Sequence, residues 1–446
     1  MTVNATAKLA LAGGAPAVRR DLFVPAWPQT NADDETAVLQ ALRTGDLTSL
    51  APAGSVERLE AAWAQWLGCA QCVAVSNGTA ALKLALAALE VGDGDEVIVP
   101  ALSFVASGLA PLHVGARPVF VDIDPVTFNL DVGQLERRIT SRTRAIMVVH
   151  LHGLAAAMDA IMAIAGRHGL RVVEDAAQAH GARYRGRKVG TIGDIGVFSL
   201  NASKNLPTCG EGGLITTDDT ALADRLRALR QFGEHLRHGE RRLYQHDDYG
   251  WNNKLSGVQA AYTLSQLQRF DTDNDRRAEN VTAFLDRLQA LPGLVVPRAP
   301  PGIEHVWHIL RFRVDAAAAG LGSLADSSFQ LAATRALRAE GVPVGPYQTL
   351  PLPAQPVFCA TSRSHMSRPG RQIVPTPFDA AAFPTCCAVL ADSFTLQRTH
   401  LNPESGPVLA AYADAFEKVF GQHREQVGKI AASMPFTPPW HGGTPS

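Results

Sequence analysis

The chain has 446 residues, 46% of them hydrophobic and 19% charged, with 41 Lys and Arg against 42 Asp and Glu. This length and composition exclude a disulfide-stapled miniprotein and an intrinsically disordered chain, and they predict two or three domains or one large domain with an appendage. A formal net charge of -1 leaves no electrostatic footprint for nucleic acid or for an anionic membrane.

Short apolar runs alternate with helical patterns between residues 71 and 217. Val and Ile run almost continuously there instead of alternating with polar residues, as they do in strands of a sheet that helices cover on both faces. The repetition of strand and helix predicts an α/β fold with a mostly parallel sheet. The seven predicted strands are residues 72–76, 96–99, 119–122, 145–150, 170–174, 196–200 and 214–217, and the predicted helices between them include 79–90 and 155–167.

The pattern changes after residue 256. Residues 257–285 predict one long helix that bridges two domains, because no Gly or Pro follows the first residue. The Pro-rich and Ser-rich residues 343–384 predict a long surface excursion. Further strands are predicted at 294–296 and 309–314, and further helices at 328–340 and 407–420. We expect four regions: an N-terminal arm (1–30), a large domain (31–255), a linker helix with a small C-terminal α+β domain (256–432) and a disordered tail (433–446).

Neither membrane insertion nor metal binding is expected. Residues 1–16 lack the apolar stretch of a signal peptide, and no run of about 18 apolar residues occurs, so a cytoplasmic protein is the default. Cys69 and Cys72 form a CxxC pair with no second pair at finger spacing, which predicts reduced structural thiols. The candidate metal ligands, which lack a tight spacing on one helix, are His150, His152, His305 and His308.

Three segments at strand ends carry polar groups that suit a ligand. SNGTA at residues 76–80 stands between a strand and a helix, where small residues and a helix N-terminus suit a phosphate, although a plain turn has the same pattern. Asp175 ends a buried strand, where a carboxylate binds a ligand or caps the next helix. Lys204 follows another strand and precedes the Gly-rich turn at 210–213. This context leaves two interpretations open: a lysine that forms a covalent Schiff base, and an ordinary solvated charge.

Together the three segments meet the needs of pyridoxal 5'-phosphate. The lysine amine can bond to the aldehyde, the aspartate can hold the ring nitrogen protonated, and backbone amides and hydroxyls can bind the phosphate. Neither a Walker loop nor a G-x-G-x-x-G fingerprint occurs, which counts against a nucleotide cofactor.

Several stretches resemble the DegT/DnrJ/EryC1/StrS family of sugar and cyclitol aminotransferases, from about residue 28 to residue 420. The resemblance implies the fold-type-I architecture of aspartate aminotransferase, with pyridoxal 5'-phosphate as the cofactor. The stretches that carry it are SNGTAAL (76–82), PVFVDID (118–124), EDAAQAHG (174–181), GTIGD (190–194) and GEGG (210–213).

The resemblance also implies roles for individual residues. Lys204 matches the Schiff-base lysine, which also acts as the base for proton transfer. Asp175 matches the partner of the pyridine nitrogen, and Gln178 the residue that meets the ring hydroxyl. Phe104 matches an aromatic residue stacked on the ring, although a lone Phe is more often a core residue. The matching phosphate binders are Gly78, Thr79 and Ser199.

Asn252 matches an asparagine that reaches the phosphate of the neighbouring subunit, which implies a homodimer with shared active sites, although a turn residue is the simpler interpretation.

The sequence departs from the family at three places. The two positions after Asn252, usually Tyr-Arg, are Asn253-Lys254 here, and an ammonium does not replace a rigid guanidinium fork. Asn-Ala-Ser stands at 201–203 before the lysine, and Leu154 replaces a usual Pro.

The resemblance implies transfer of an amino group from L-glutamate or L-glutamine to a keto-cyclitol or keto-sugar. Residues 11–16 and 341–347 resemble the inosose-aminating branch, which favours a keto-cyclitol. Tyr347 and His308 are candidate substrate residues, although ordinary packing explains them equally well. Three alternatives remain: a nucleotide-linked 4-keto-sugar aminotransferase, a sugar dehydratase on the same fold, in which His typically replaces the lysine, and a non-catalytic regulatory protein.

Overall fold

The structure is a computed structural model that describes residues 8–235, 242–359 and 378–441. Within these residues no helix is long and apolar enough to cross a membrane. The helices are α1 (Ala32–Thr44), α2 (Ser55–Leu67), α3 (Gly78–Ala88), α4 (Val105–His113), α5 (Val132–Leu135), α6 (Met158–His168), α7 (Thr220–Arg230), α8 (Gly257–Leu267), α9 (Phe270–Leu288), α10 (Asp326–Ala339), α11 (Pro384–Asp392), α12 (Gly406–Phe416) and α13 (Arg424–Ala431). The strands are β1 (Gln71–Val75), β2 (Glu96–Pro100), β3 (Arg117–Val121), β4 (Thr143–Val149), β5 (Arg171–Asp175), β6 (Arg183–Tyr184), β7 (Arg187–Lys188), β8 (Ile195–Ser199), β9 (Gly213–Thr217), β10 (Leu294–Val295), β11 (Ile303–Glu304), β12 (Leu310–Val314) and β13 (Ser393–Leu396).

The largest sheet has seven strands in the order β1-β9-β8-β5-β4-β2-β3. Strand β9 runs antiparallel to β1 and β8, and the other four neighbouring pairs are parallel. Successive side chains point to opposite faces, so Val172 and Ile146 share a core with α2 and α6, whereas Val173 and Met147 share a core with α3 and α7. The predicted mostly parallel, seven-stranded sheet of an α/β fold is therefore confirmed.

The carboxyl ends of β1, β2, β5 and β8 lie at one edge of this sheet, because these strands run in the same direction. Strand β1 leads into α3, β5 ends at Asp175 and β8 ends at Ser199. In open α/β sheets, ligands bind outside the carboxyl ends of the strands. The loops at this edge therefore bring together segments that are far apart in the sequence.

A second, antiparallel sheet has the order β10-β12-β13. Four aromatic rings form the centre of its core, with centroid distances between 5.3 and 6.2 Å. They come from α9 (Phe284), β12 (Phe312), β13 (Phe394) and α12 (Phe416). Such aromatic contacts stabilise a core beyond the apolar area that they bury. A small third sheet, β11-β6-β7, joins residues 303–304 to the hairpin that follows β5.

A buried ion pair holds the N-terminal segment against this second core. Glu340, just after α10, accepts hydrogen bonds from the backbone nitrogens of Ala10 (2.7 Å) and Ala17 (2.8 Å). Lys418 Nζ lies 2.8 Å from Glu340 Oε2 and donates to the carbonyl of Ala15 at 2.9 Å. The Lys418 and Glu340 side chains are 2% and 0% exposed, so each charge depends on the other and on these backbone groups.

The prediction of one helix over residues 257–285 is wrong, because the structure divides it into α8 and α9. Arg269, between them, leaves helical geometry with φ -111° and ψ 3°. Its guanidinium binds Asp34 Oδ2 at 2.6 Å and the carbonyl of Gln29 at 3.0 Å. These contacts with the N-terminal part of the chain stabilise the break between α8 and α9. The sequence has no Gly or Pro at this point that would predict it.

Two predictions for the C-terminal half also need correction. The helix predicted at 407–420 ends with α12, and one π-helical turn, Glu417–Gln422, follows it and presents Lys418. The predicted surface excursion at 343–384 begins in the core: Val344 and Leu352 are 1% and 2% exposed, and Gly345 pairs with Thr395 of β13. Residues 360–377 of this excursion, and residues 442–446 of the predicted tail, lie outside the described residues.

Candidate active site

The N-terminus of α3 forms a cradle of backbone N–H groups. Asn77 caps the helix, because its Oδ1 accepts a hydrogen bond from the Ala80 nitrogen at 2.7 Å. Gly78 lies so close to the end of β8 that an added Cβ would stand 2.8 Å from the Ser199 Cβ. The first N–H groups of a helix have no acceptor within it, and its positive dipole end favours an anion. The predicted phosphate binders Gly78, Thr79 and Ser199 thus lie side by side.

Asp175 presents a buried carboxylate, 6% exposed, at the end of β5. Ser107 of α4 donates a hydrogen bond to its Oδ2 at 2.7 Å, and the Ala177 nitrogen donates to Oδ1 at 3.2 Å. Burial raises the pKa of Asp175, although both hydrogen bonds oppose this shift. No ion pair joins Asp175 to a described Lys, Arg or His, so the carboxylate is available to a protonated ring nitrogen.

Lys204 is half-buried and makes no ion pair with any carboxylate in the described part of the chain. Burial lowers the pKa of its amine to about 8, against the opposing effect of Asp175. Two hydrogen bonds hold the backbone of Lys204. Its nitrogen donates to the Asn201 carbonyl at 2.8 Å, and its carbonyl accepts from Trp27 Nε1 at 3.1 Å. A fixed lysine with a lowered pKa suits bond formation with an aldehyde.

His308 lies behind the lysine loop. Its ring Nδ1 donates to Asn205 Oδ1 at 3.0 Å, and Asn205 Nδ2 donates to the Val306 carbonyl at 2.8 Å. The ring is 1% exposed, and burial holds its pKa well below the usual value, so it is neutral. The structure therefore places His308, a predicted substrate residue, where it positions Asn205, the neighbour of Lys204.

Gln178 and Tyr347 are in contact, although 168 residues separate them in the chain. Gln178 Oε1 accepts a hydrogen bond from the His152 nitrogen at 2.8 Å, and its Nε2 donates to the Tyr347 hydroxyl at 3.4 Å. The ring centroids of His152 and Tyr347 are 6.3 Å apart. A predicted cofactor residue and a predicted substrate residue thus lie in contact.

Two predicted cofactor residues are exposed. The Phe104 side chain, at the start of α4, is 56% exposed, so it is not a core residue. Asn252 pairs through its backbone with Gln231, and its Oδ1 accepts a hydrogen bond from Lys254 Nζ at 2.6 Å. No described hydrogen bond joins Asn252 to the other predicted cofactor residues. Its predicted role concerns a neighbouring subunit and stays a prediction.

Three residues that hold this site are not predicted by any motif in the sequence. Ser107 fixes the Asp175 carboxylate, Trp27 binds the Lys204 carbonyl, and Asn205 links the lysine loop to His308. Asn205 adjoins the lysine, which is a signal that could have drawn attention to it. The other two act across 68 and 177 residues of chain, and no spacing in the sequence marks them.

Glu174, next to the site, is a buried carboxylate with several donors. Gly193 and Gly190 donate backbone hydrogen bonds to its two oxygens at 2.7 and 2.8 Å. His150 Nδ1 accepts from the Ala156 nitrogen at 3.1 Å, so its proton is assigned to Nε2, which donates to Glu174 at 3.0 Å. Burial alone would raise the pKa of Glu174, but these donors outweigh it and lower the pKa.

Replacing Glu174 with Gln should lower the free energy of unfolding by about 3 kcal/mol at pH 7, because an amide NH₂ would face backbone donors in a buried site. A carboxylate with a lowered pKa stabilises the fold above its unfolded pKa of about 4.3, and this contribution is lost as the pH falls through the folded pKa. Urea unfolding should therefore show the gap between the two proteins shrinking below about pH 4.3.

Glu90, an exposed residue paired with Arg225, provides the control. We expect Glu90→Gln to change stability by less than about 1 kcal/mol at any pH. A Glu174→Gln gap that stayed constant down to about pH 2 would contradict the lowered pKa.

The residues at this edge fit pyridoxal 5'-phosphate. Asp175 offers a buried carboxylate without an ion-pair partner to the ring nitrogen, and Lys204 offers an amine whose pKa is lowered to about 8. The α3 N-terminus, closed tightly against Ser199, offers N–H groups to the phosphate. Phe104 offers an exposed ring for stacking.

The sequence profile described as the DegT/DnrJ/EryC1/StrS aminotransferase family matches residues 28–368. The chain is 45% identical over 304 residues to L-glutamine:scyllo-inosose aminotransferase of Streptomyces griseus, covering 66% of this chain and 71% of that protein. It is 41% identical over 307 residues to UDP-N-acetyl-3-dehydro-alpha-D-glucosamine 3-aminotransferase of Acidithiobacillus ferrooxidans, covering 69% of this chain and 78% of that protein.

Solved structures agree with this match. DesV of S. venezuelae superposes with a TM-score of 0.72 at 32% identity, covering 90% of this chain and 99% of its own. The expected fold-type-I architecture, the expected cofactor and the expected enzyme class are confirmed. The chain belongs to the DegT/DnrJ/EryC1/StrS family and is a pyridoxal-phosphate-dependent aminotransferase.

Proposed function

We propose that the protein transfers an amino group from L-glutamate or L-glutamine to a hydroxylated cyclic ketone, in aminosugar or other secondary-metabolite biosynthesis. The contact between Gln178 and the Tyr347 hydroxyl carries the proposal, because it places polar groups beside a predicted cofactor residue. A ketone with several hydroxyls needs such hydrogen-bonding groups, since an unpaired buried polar group costs about 1–3 kcal/mol.

A keto-cyclitol is the favoured acceptor. The relative whose name specifies scyllo-inosose is 45% identical, and the relative whose name specifies a UDP-sugar is 41% identical. Lys254 supports the same choice, because its Nζ is engaged with Asn252 Oδ1 at 2.6 Å and offers no guanidinium fork to a diphosphate. A nucleotide-linked keto-sugar is the second candidate.

Each residue of the site has a part in this chemistry. Bound pyridoxal phosphate supplies an electron sink for the carbon that carries the transferred nitrogen. Lys204 Nζ, whose pKa is lowered to about 8, can accept and release that carbon's proton near neutral pH. Asp175, once ionised, stabilises a proton on the ring nitrogen. Tyr347 orients the acceptor, and Gln178 holds the Tyr347 hydroxyl in place.

Competition kinetics on the holoenzyme test the acceptor, with scyllo-inosose and a nucleotide-linked 4-keto-sugar in the same mixture. We expect the higher kcat/KM for scyllo-inosose, since discrimination depends on which substrate satisfies the buried polar groups. A kcat/KM for the nucleotide sugar about 100-fold above that for the cyclitol would reverse the order. Transfer to neither ketone from either amino donor would contradict the proposed function as a whole.

We also propose a homodimer in which each active site is built from both chains. The support is an exposed Asn252 together with an apolar stripe on and after α1, which a partner would cover. Its leucines are between 42% and 53% exposed: Leu39, Leu42, Leu47 and Leu50. A two-fold axis makes two equivalent shared sites.

Mixing two inactive variants should restore activity if the sites are shared. A Lys204→Ala chain still supplies Asn252, and an Asn252→Asp chain still supplies Lys204. After the subunits exchange at equal amounts, half of the dimers are mixed and one of their two sites is intact, so activity should return to about a quarter of wild type. No recovery after verified exchange would mean that Asn252 acts within its own chain, and an active monomer in light scattering would contradict the dimer.

A further inference from the structure

Trp27, in the segment before α1, reaches the loop that carries Lys204. Its Nε1 donates a hydrogen bond to the Lys204 carbonyl at 3.1 Å, across 177 residues of chain. The Trp27 side chain is partly buried, whereas Phe23 and Val24, earlier in the same segment, are 79% and 38% exposed. Of these three apolar residues, the one that turns inward contacts the lysine loop.

Hydrogen bonds on both sides of Trp27 fix the course of this segment. Asn402 Nδ2 donates to the Pro25 carbonyl at 3.2 Å, and Arg269 Nη2 donates to the Gln29 carbonyl at 3.0 Å. These carbonyls lie two residues before and two residues after Trp27, so the backbone that carries the indole is held from both directions. The N–H donor therefore meets the Lys204 carbonyl from a fixed position.

The indole ring of Trp27 also lies against a buried cation. The guanidinium carbon of Arg277 is 5.3 Å from the ring centre, within the range of a cation–π contact. Arg277 is 3% exposed, its Nε donates to the Leu401 carbonyl at 2.8 Å, and it forms no ion pair with a carboxylate of the described residues. Because burial strengthens a cation–π contact, the indole is held at its face as well as at its N–H.

The Lys204 carbonyl receives no other hydrogen bond from the residues that the structure describes. The Lys204 nitrogen donates to the Asn201 carbonyl, which holds the loop before the lysine. After it, Asn205 Oδ1 accepts a hydrogen bond from His308. The carbonyl and the side chain of Lys204 leave the same Cα, so a rotation of this peptide group redirects Nζ. A displacement of about 1 Å can cost about 10²-fold in rate.

We propose that Trp27 is a positioning residue for Lys204. Its N–H fixes the Lys204 carbonyl, and the contact of its ring with Arg277 keeps the indole in place, so that Nζ stays aligned with the proton that it accepts and releases. Trp27 acts through Lys204 and not on the substrate. The inference rests on the proposed function, in which Lys204 is the base, and adds a residue of the N-terminal segment to that reaction.

Trp27→Phe tests the proposal, because it keeps an aromatic face for Arg277 and removes the N–H donor. On the holoenzyme, the maximal rate of the donor half-reaction should fall by about 10- to 10²-fold, with L-glutamine or L-glutamate, whichever the wild type prefers. The half-saturating donor concentration should stay within about 2-fold, since the lost contact aligns the base and does not bind the donor. With a donor deuterated at Cα, the isotope effect on this rate should grow, because proton transfer becomes the slow step.

Trp66→Phe is the matched control. It also removes an indole hydrogen bond, from Nε1 to Asp271 Oδ1 at 3.0 Å, and should keep the maximal rate within about 2-fold.

The Lys204→Ala background separates positioning from general damage to the fold. There, single-turnover absorbance should show that Trp27→Phe changes the remaining donor half-reaction by less than about 2-fold, because the side chain that Trp27 positions is absent. General damage would lower the rate equally in both backgrounds.

Hydrogen exchange of the holoenzyme gives a readout that needs no turnover. Peptides that cover residues 200–206 should exchange at least about 5-fold faster in Trp27→Phe than in wild type, and at the wild-type rate in Trp66→Phe. An unchanged maximal rate, an equal loss in both backgrounds, or unchanged exchange would each overturn the proposal. Failure of the proposed function is distinguishable, because wild-type protein would then react with neither amino donor or Lys204→Ala protein would keep its activity.

Discussion

Replacing Lys204 with Ala should lower turnover by at least about 10³-fold. In its proposed role, Lys204 supplies both the covalent link to the cofactor aldehyde and the amine that moves the substrate proton, and the variant has neither. Acid–base transfer alone accounts for about 10²–10⁴-fold. The structure leaves no described lysine to replace it: Lys188 and Lys83 lie against Trp66 and Trp251. Steady-state assays of the variant loaded with cofactor measure the loss.

The control for this experiment is Lys429→Ala, because Lys429 is an exposed residue of α13. The cofactor-free wild-type protein offers a further check. Since the pKa of Lys204 is lowered to about 8 from 10.5, its acylation by acetic anhydride should rise with pH with a midpoint near 8. Many turnovers by Lys204→Ala protein would contradict its assigned role.

Replacing Asp175 with Asn should lower kcat/KM by about 10²–10³-fold, the size expected when one preorganised electrostatic contact is lost. The amide keeps the shape and can still accept the hydrogen bond from Ser107, which now measures 2.7 Å. It carries no negative charge, so it cannot hold a proton on the ring nitrogen. Cofactor content, read by absorbance, should remain near wild type and so exclude simple loss of binding.

Ser107→Ala removes the hydrogen bond to Asp175 but leaves the carboxylate in place. Burial raises the pKa of Asp175 and the hydrogen bond from Ser107 lowers it, so removing the hydroxyl should raise that pKa further. Ionised Asp175 is then lost at a higher pH, and the acid limb of the kcat/KM profile should move upward. Ser141→Ala, at an exposed turn, is the control. An unmoved acid limb would show that Asp175 does not titrate in this range.

The central sheet could be predicted from the sequence because its strands are nearly uniform in composition. All seven predicted segments overlap observed strands, and no end is shifted by more than two residues. The helices α1 and α2 were not predicted, because residues 32–67 lack the continuous apolar runs that identify the neighbouring strands. The break at Arg269 was missed for another reason: contacts with Asp34 and Gln29 hold it, and these partners are far away in the sequence.

The part of the site that lies in short sequence motifs could be predicted from the sequence. The residues after β1, β5 and β8 carry local signatures, and the structure brings these strand ends to one edge. Ser107 and Trp27 have no local signature, because their partners lie on other segments that only folding brings near. Tyr347 was named from a resemblance, and its contact with Gln178 needed three-dimensional information.

The anchoring of the N-terminal segment has a consequence for biosynthesis. The ribosome makes residues 10–17 before their partners Glu340 and Lys418, which leave the exit tunnel hundreds of residues later. Until Glu340 and Lys418 emerge, this segment lacks the partners that hold it in the folded protein, and we expect it to be accessible to chaperones and proteases. The chain that leads from this segment also carries Trp27, which binds the Lys204 carbonyl. A contact beside Lys204 therefore belongs to a stretch of chain whose start is fixed by residues made hundreds of positions later.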